Sequence, residues 1–456
     1  MRRVVKVSRI RIIITIIVVV LTTLLTGCTG KEPNEIAYVV ALGIDSTDDD
    51  NYKITIQYAN TTQISGGASE SGGKAGSEIV DNVTIEAPNI YAGVGLANNI
   101  VSKSFSMSHA KLIVFSKEIA EKGVKDMIET LVRSEEIRPD VFIAVANTTA
   151  NDYLTSVNPE MEVNPAQYYQ LIYQKNQLVG IPDGQLREFF TGLYTDNYDS
   201  ILPVAGVIDG SGGNSQNDDK GQSKDGQNEG SEGSSESLDS FESKSSNEKD
   251  ENEKEKDAEK NTSKYEYDIK NYVGGETTIE KKNKAEAIGA AVFEKDKMVG
   301  ELGEVETEIC KMLKGDYTYS YLTYYNNDTP DIPITVKTTQ QKKPKYKIDT
   351  DKKTVDIELY IESDLYSLPA DYNVENKIED FERDVANYTS STCTEFINNF
   401  TKKYNSDILK LNEKVKYKFL TNNQYNWFKK NVGWSEYKFS VCTNFKVRRT
   451  GLIVRE

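Results

Sequence analysis

Apolar positions first gather in a run from Ile12 to Leu25, softened only by Thr15, Thr22 and Thr23 and preceded by Arg2, Arg3, Lys6, Arg9 and Arg11 with no acid. The run falls short of the roughly 20 residues a spanning helix needs. It reads as the h-region of a signal peptide behind a basic n-region. Beyond it, Ile36 to Asp45 is a second apolar run and Tyr52 to Tyr58 alternates strictly, with polar Ser46 to Asn51 between them. That pattern predicts an antiparallel hairpin. Gly66 to Ser77 is a Gly/Ser-rich insertion, and Val80 to Glu86 suits a third strand. Pro88 opens a predicted helix to about Lys103, with Ile90, Val94, Ala97 and Val101 on one face. His109 to Phe115 and Val141 to Ala146 read as further strands. Ser116 caps a short helix, Val124 to Arg133 is helical with Met127, Ile128 and Leu131 inward, and helices follow at Thr149–Val157, Pro165–Leu178 and Gln185–Leu193. The texture is α/β with mixed pairing, because it opens with a hairpin.

From Asp209 to about Lys264 the only sizeable apolar residues are Leu238 and Phe241, so no core can form there. This acidic stretch, taken as a disordered linker over 209–284, separates an N-terminal region, 28–208, from a C-terminal domain, 285–456. Order returns with Ile288 to Phe293, a turn at Glu294–Lys297 and a partner strand Met298–Leu302. A helix from Thr307 ends at Gly315, and Tyr317–Tyr325, Ile332–Thr338, Pro344–Ile348 and Thr354–Glu362 read as meandering antiparallel strands. A long helix spans about Val374 to Tyr404, with Ile378, Phe381, Val385, Tyr388, Thr392, Phe396, Phe400 and Tyr404 at steps of three and four. Tyr437 to Val447 alternates into a last strand. The predicted class is multidomain α+β: an α/β-textured first half with a mixed sheet, then an antiparallel sheet carrying a long packed helix.

The apolar run ends in Leu25-Thr26-Gly27-Cys28. Leu, small, Gly, Cys resembles the bacterial lipobox, which implies cleavage after residue 27 and a Cys28 carrying S-diacylglyceryl and N-acyl groups with palmitate-type chains. Two long acyl chains hold a protein on a bilayer where one only tethers it transiently. An uncleaved anchor and an ordinary signal peptide are the alternatives. The formal charge is −16, and losing residues 1–27 with their five basic side chains takes it to −21. Such acidity argues against nucleic acid and against an electrostatic grip on anionic lipid.

Candidate chemistry is sparse. Besides Cys28 there are Cys310, Cys393 and Cys442, without metal spacing; they read as small hydrophobes, or one pair could bridge. His109, the only histidine, reads as a hydrogen-bonded structural position. The cluster Asp45, Asp48, Asp49 and Asp50 lacks the glycine and terminal glutamate of a calcium loop and reads as solvated. No phosphate loop, nucleophile elbow or zinc motif is present. The 27 tyrosines read as half-buried sheet surface. No catalytic, metal or cofactor-binding residue is assigned, and no cofactor is expected.

Several stretches, in order, resemble the Ger(x)C family, the C-subunit lipoproteins of bacterial spore germinant receptors. They are Ser108-His109 through Phe115, Glu118 to Gly123 and Arg133 to Arg138, then Gly289 to Phe293, Lys297 to Leu302 with Glu306-Thr307, and Trp427, Trp434 and Arg448-Arg449-Thr450-Gly451-Leu452. The chain departs from the family at Thr29-Gly30, where Trp-Asp is usual, and in its long acidic linker. The resemblance implies a non-catalytic subunit on the outer face of the inner spore membrane. It would be a scaffold or coupling subunit for the A-type and B-type integral-membrane subunits in nutrient-triggered germination. It also implies three domains, with a division of the first half near residue 150. Two rival readings are a solute-binding lipoprotein that captures the germinant in an interdomain cleft, and a cell-wall hydrolase, which the missing catalytic constellation disfavours.

Overall fold

Strands β1 (Ile36–Ser46) and β2 (Tyr52–Ala59) form the predicted hairpin, with Leu42 opposite Ile56 and Ile44 opposite Ile54, and β3 (Val80–Ala87) adds antiparallel to β2. The structure is a computed structural model describing residues 13–18, 35–49, 51–59, 80–158, 164–174, 180–195, 197–208, 271–277, 283–326, 329–367, 377–404 and 406–450. Cys28, the Gly/Ser-rich stretch 66–77 and the acidic stretch 209–264 lie outside these residues; residues 13–18, inside the N-terminal apolar run, are helical.

Helix α1 (Ile90–Ala97) starts where Asn89 accepts a hydrogen bond from the Ala92 N–H, and it ends earlier than periodicity predicts. Asn98 stops it, its side-chain oxygen accepting from the Phe105 N–H at 2.8 Å. The chain then forms β4 (Ser104–Ser106), parallel to the start of β1 with Ser104 opposite Ile36. Next come β5 (Leu112–Ser116), α2 (Lys117–Lys122) capped by Ser116, α3 (Lys125–Val132), β6 (Phe142–Ala146), α4 (Ala150–Ser156) capped by Thr149, α5 (Pro165–Gln174) and α6 (Leu186–Thr195). β5 and β6 extend the sheet in parallel beyond β1.

Periodicity misses the next strand, β7 (Ile201–Val207), because Pro203 lies inside it and proline cannot donate to a ladder. The structure accommodates Pro203 at an irregularity in the pairing with the following strand, and β7 meets β6 only at Val204 and Ala205. Strands β8 (Ala285–Glu294) and β9 (Lys297–Leu302) then continue this same sheet, both antiparallel. Among the described residues the order is β3-β2-β1-β5-β6-β7-β8-β9 with β4 beside β1. Two expectations change. Residues 285–302 extend the N-terminal sheet rather than founding a separate one, and the sheet passes residue 150 unbroken. Part of the supposed linker also belongs to the fold: Gly274 N–H donates to the Ile288 carbonyl at 3.0 Å.

One face of this sheet buries Leu42, Ile113, Phe115 and Ile143 under α1, α2, α3 and α6; the other buries Val40, Val114 and Ala144 under Tyr153, Tyr169 and Tyr173 of α4 and α5. These three tyrosines are thus helical and buried, whereas Tyr38, Tyr52 and Tyr58 on β1 and β2 are half-buried on strands as expected. Tyr153 and Tyr173 share a hydroxyl hydrogen bond of 2.9 Å, and Tyr169 donates to Gln57.

The second sheet is introduced by α7 (Glu304–Lys314), which ends on Gly315 in the left-handed region at φ 85°. It comprises β10 (Tyr319–Asn326), β11 (Thr329–Gln340), β12 (Lys345–Asp349) and β13 (Thr354–Ser367), antiparallel as predicted. Helix α8 (Ile378–Lys403) follows, then α9 (Leu411–Val415), α10 (Asn422–Asn431) and β14 (Lys438–Arg449). β14 joins in parallel to β13, a departure from the all-antiparallel expectation, because the long helix carries the chain back to the end where β13 began. The buried stripe of α8 also differs in its middle: Phe381, Val385, Thr389, Cys393, Ile397 and Phe400 face inward. A search for large apolar side chains passes over Thr389 and Cys393.

Candidate functional site

The two sheets are joined rather than tethered. Ile201, Ala290, Val292 and Leu302 of the first sheet share one apolar cluster with Ile309, Leu313, Val355, Leu359, Ile397 and Phe439 of the second half. Beside this cluster, the segment leading into β7 meets the segment leading out of α8. Asp199 accepts from the Lys295 N–H at 2.9 Å and from the Asp407 N–H at 2.8 Å, and the Asp199 N–H donates to the Asp407 carbonyl at 3.2 Å. Asp407 in turn accepts from the N–H groups of Leu411 and Asn412, both at 2.8 Å, capping α9.

Burial pushes the Asp407 carboxyl up to about 7, with the Asp199 charge adding to it against the two backbone donors. Burial raises Asp199 too. Around this pair Lys410 bonds Glu188 at 3.2 Å and lies 4.1 Å over the Tyr198 ring, while Lys429 donates to the Thr195 carbonyl and Asn197. Trp434 donates its indole N–H to Asn412 at 3.1 Å. A cleft of about 460 Å³ opens here, lined by Tyr198, Asp199, Lys295, Asn412, Lys429 and Trp434. A second, of about 440 Å³, is lined by Asp183, Glu188, Lys314, Asp316 and Lys410. The seam is polar and already paired internally.

The residues singled out in the sequence do not converge. Cys28 lies outside the described residues. His109 is exposed in the turn before β5, with Nδ1 3.0 Å from the Ser108 hydroxyl and its ring edge-on to Tyr38 at 4.8 Å. Cys310, Cys393 and Cys442 are unbridged; burial holds the Cys310 and Cys393 thiols up to about 11 and 12, so neither offers a thiolate. Asp45 corrects the solvated-loop reading. Its buried carboxylate accepts from the Ala150 and Asn151 N–H groups at 2.6 and 3.0 Å, at the head of α4. Among the described residues no group of three or more His, Cys, Asp or Glu could hold a metal ion. Likewise, among those residues no helix is long and apolar enough to cross a membrane. Asp199 and Asp407 stand 208 positions apart, and no motif links them. The one local signal was an aspartate set four residues before the start of a short helix.

A mixed α/β sheet joined through a shared core to a second, mostly antiparallel sheet under a long helix defines a two-sheet α+β class of protein. The comparisons give its family. Residues 30–207 match the spore germination protein N-terminal domain, and residues 288–451 match the spore germination B3/GerAC-like C-terminal domain. The chain belongs to the Ger(x)C family of spore germination proteins. It is 26% identical over 174 residues to spore germination protein KC of Bacillus subtilis (strain 168), covering 35% of this chain and 42% of that one. It is 28% identical over 145 residues to the putative spore germination protein YfkR of the same organism, covering 32% and 37%. The matches thus span less than half the length of these curated relatives. The crystal structure of the GerBC protein aligns with a TM-score of 0.47 and 15% identity over 89% of this chain and 96% of that one.

Proposed function

We propose that this chain is the lipid-anchored, non-catalytic subunit of a nutrient germinant receptor, held by Cys28 on the outer face of the inner spore membrane. It serves two integral-membrane subunits, of the A and B types, as scaffold or coupling element. The observation that carries a scaffold reading is the shared core: Val292 and Leu302 of the first sheet are buried in one cluster with Ile309 and Val355 of the second half, so a displacement of one sheet is passed to the other. Co-purification from detergent-solubilised spore membranes tests it. Two polytopic proteins should accompany the wild-type chain, and recovery of the chain alone would defeat the proposal. Cys28→Ala should abolish lipid labelling and membrane retention while leaving the fold intact.

Capture of the germinant in the cleft is the second reading, favoured by β8 and β9 crossing from one half into the sheet of the other and by the polar cleft beside Asp199. Against it, the shared core and the Asp199–Asp407 bonds leave no free hinge to close on a ligand. Calorimetric titration of the ectodomain with nutrients separates the two, a saturable isotherm supporting capture.

A further inference from the structure

Residues 87–102, comprising α1 and the turn after it, hold no charged side chain, in a chain that is 28% charged. The inner face of α1 is explained: Ile90, Gly93, Val94 and Ala97 are buried, and Gly93 fits against Ile54. The outer face is not. A surface helix ordinarily turns charged residues to water, yet here Leu96 is 49% exposed and Ile100, one turn further on, is 69% exposed. Asn98 and Asn99 supply the only polar side chains between them.

The topology fixes where this tip lies. Ser104 pairs with Ile36 at the first residue of β1, one strand spacing of about 4.8 Å away. The Asn98–Phe105 hydrogen bond ties the turn to β4, and the Phe105 ring packs on Tyr58 at 5.2 Å, Tyr58 lying opposite Val39. Ile100 is therefore held at the end of the sheet where the chain enters it. The eight peptide steps from Cys28 to Ile36 span at most about 28 Å.

We infer that Leu96 and Ile100 form an apolar tip that seats in the interfacial layer of the bilayer carrying the Cys28 anchor. This rests on the lipid-anchor reading above. A bilayer suits the tip better than a protein does: it is aliphatic and uncharged, whereas protein hot spots favour Trp, Tyr and Arg. The short tether keeps the tip within reach of the membrane, and two contacts, acyl chains and tip, would fix the orientation of the ectodomain.

The test uses the full chain, lipidated in a bacterial host and reconstituted into phosphatidylcholine–phosphatidylglycerol vesicles. Ile100→Trp is placed in a Trp427→Phe background, so that buried Trp434 is the only other indole. Emission from position 100 should shift blue and fall about twofold when the acyl chains are brominated, as expected for a side chain at the headgroup–acyl boundary. Flotation of the same vesicles reads the anchor separately. Flotation with an unquenched, iodide-accessible position 100 leaves the anchor standing and overturns the tip. No flotation of the lipidated parent removes both. Emission that shifts blue only on adding an integral-membrane subunit, without bromine quenching, assigns the face to protein and overturns the bilayer.

Discussion

Asn398 and Phe439 hold each other by two hydrogen bonds: the Asn398 amide donates to the Phe439 carbonyl at 2.9 Å and accepts from the Phe439 N–H at 3.1 Å. The same relation repeats along α8 and β14, with Thr394 accepting from the Val441 N–H, Ser390 from Thr443 and Glu382 from Val447. Four helical residues rise about 6.0 Å and two strand residues about 6.6 Å, so acceptors four apart on the helix match N–H groups two apart on the strand. The free edge of β14 is closed by side chains. Asn398→Leu should cost about 2 kcal/mol and Thr394→Val about 1, by loss of these bonds to a buried backbone edge. Urea unfolding with an unchanged slope checks both; no shift in midpoint would mean that water replaces the side chains.

Gly206 tests the continuity of the first sheet. A Cβ there would overlap the backbone of Gly274 and Gly275, which cross β7 closely. Gly206→Ala should destabilise by about 3 kcal/mol, because backbone rather than a flexible side chain must move. Thermal melting reads this. A variant that melts like the parent would show that the 271–277 segment does not pack on β7.

Asp407 sets a pH dependence. The folded protein keeps its proton until about pH 7, while an unfolded aspartate releases it near 4. Between those values the native state binds more protons than the unfolded one, so stability falls as pH rises and levels off above about 7. Glu308, raised by burial to about 7, slopes the same way. Asp407→Asn should remove its share of that slope and lower stability at pH 5 by about 1–2 kcal/mol, since an amide cannot accept from both Leu411 and Asn412. Denaturant melts across pH 4–8 report both effects, and a slope identical to the parent's would contradict the assignment.

The strands on either side of residues 209–283 lie side by side: Val207 pairs with Ala285 and the Ile208 N–H donates to the Lys284 carbonyl at 2.8 Å. Replacing 209–264 within this loop by about ten Gly/Ser residues should raise stability by about 1 kcal/mol, from the logarithmic cost of loop closure. Spores carrying the deletion should still germinate. Loss of receptor assembly despite normal folding would give the stretch an active role.

The sequence by itself determined those elements whose burial repeats at a local period. β13 and β14 alternate buried and exposed as their residues read, and Ser116 and Gly315 mark helix ends through their own hydrogen-bonding or conformational preferences. The ordered family motifs in both halves were legible as well, since each is a short local string. What only the tertiary structure decided is where a partner distant in the chain sets the outcome. Pro203 is tolerated because β8 supplies an irregular register, Asp45 is buried because α4 presents two N–H groups to it, and Thr389 and Cys393 face inward because they continue, at steps of four, the buried face that runs from Phe381 and Val385 to Ile397. The Asp199–Asp407 seam belongs to this second kind. Neither residue carries a local signature of its partner, and their bond exists because the sheet of one half is completed by strands from the other.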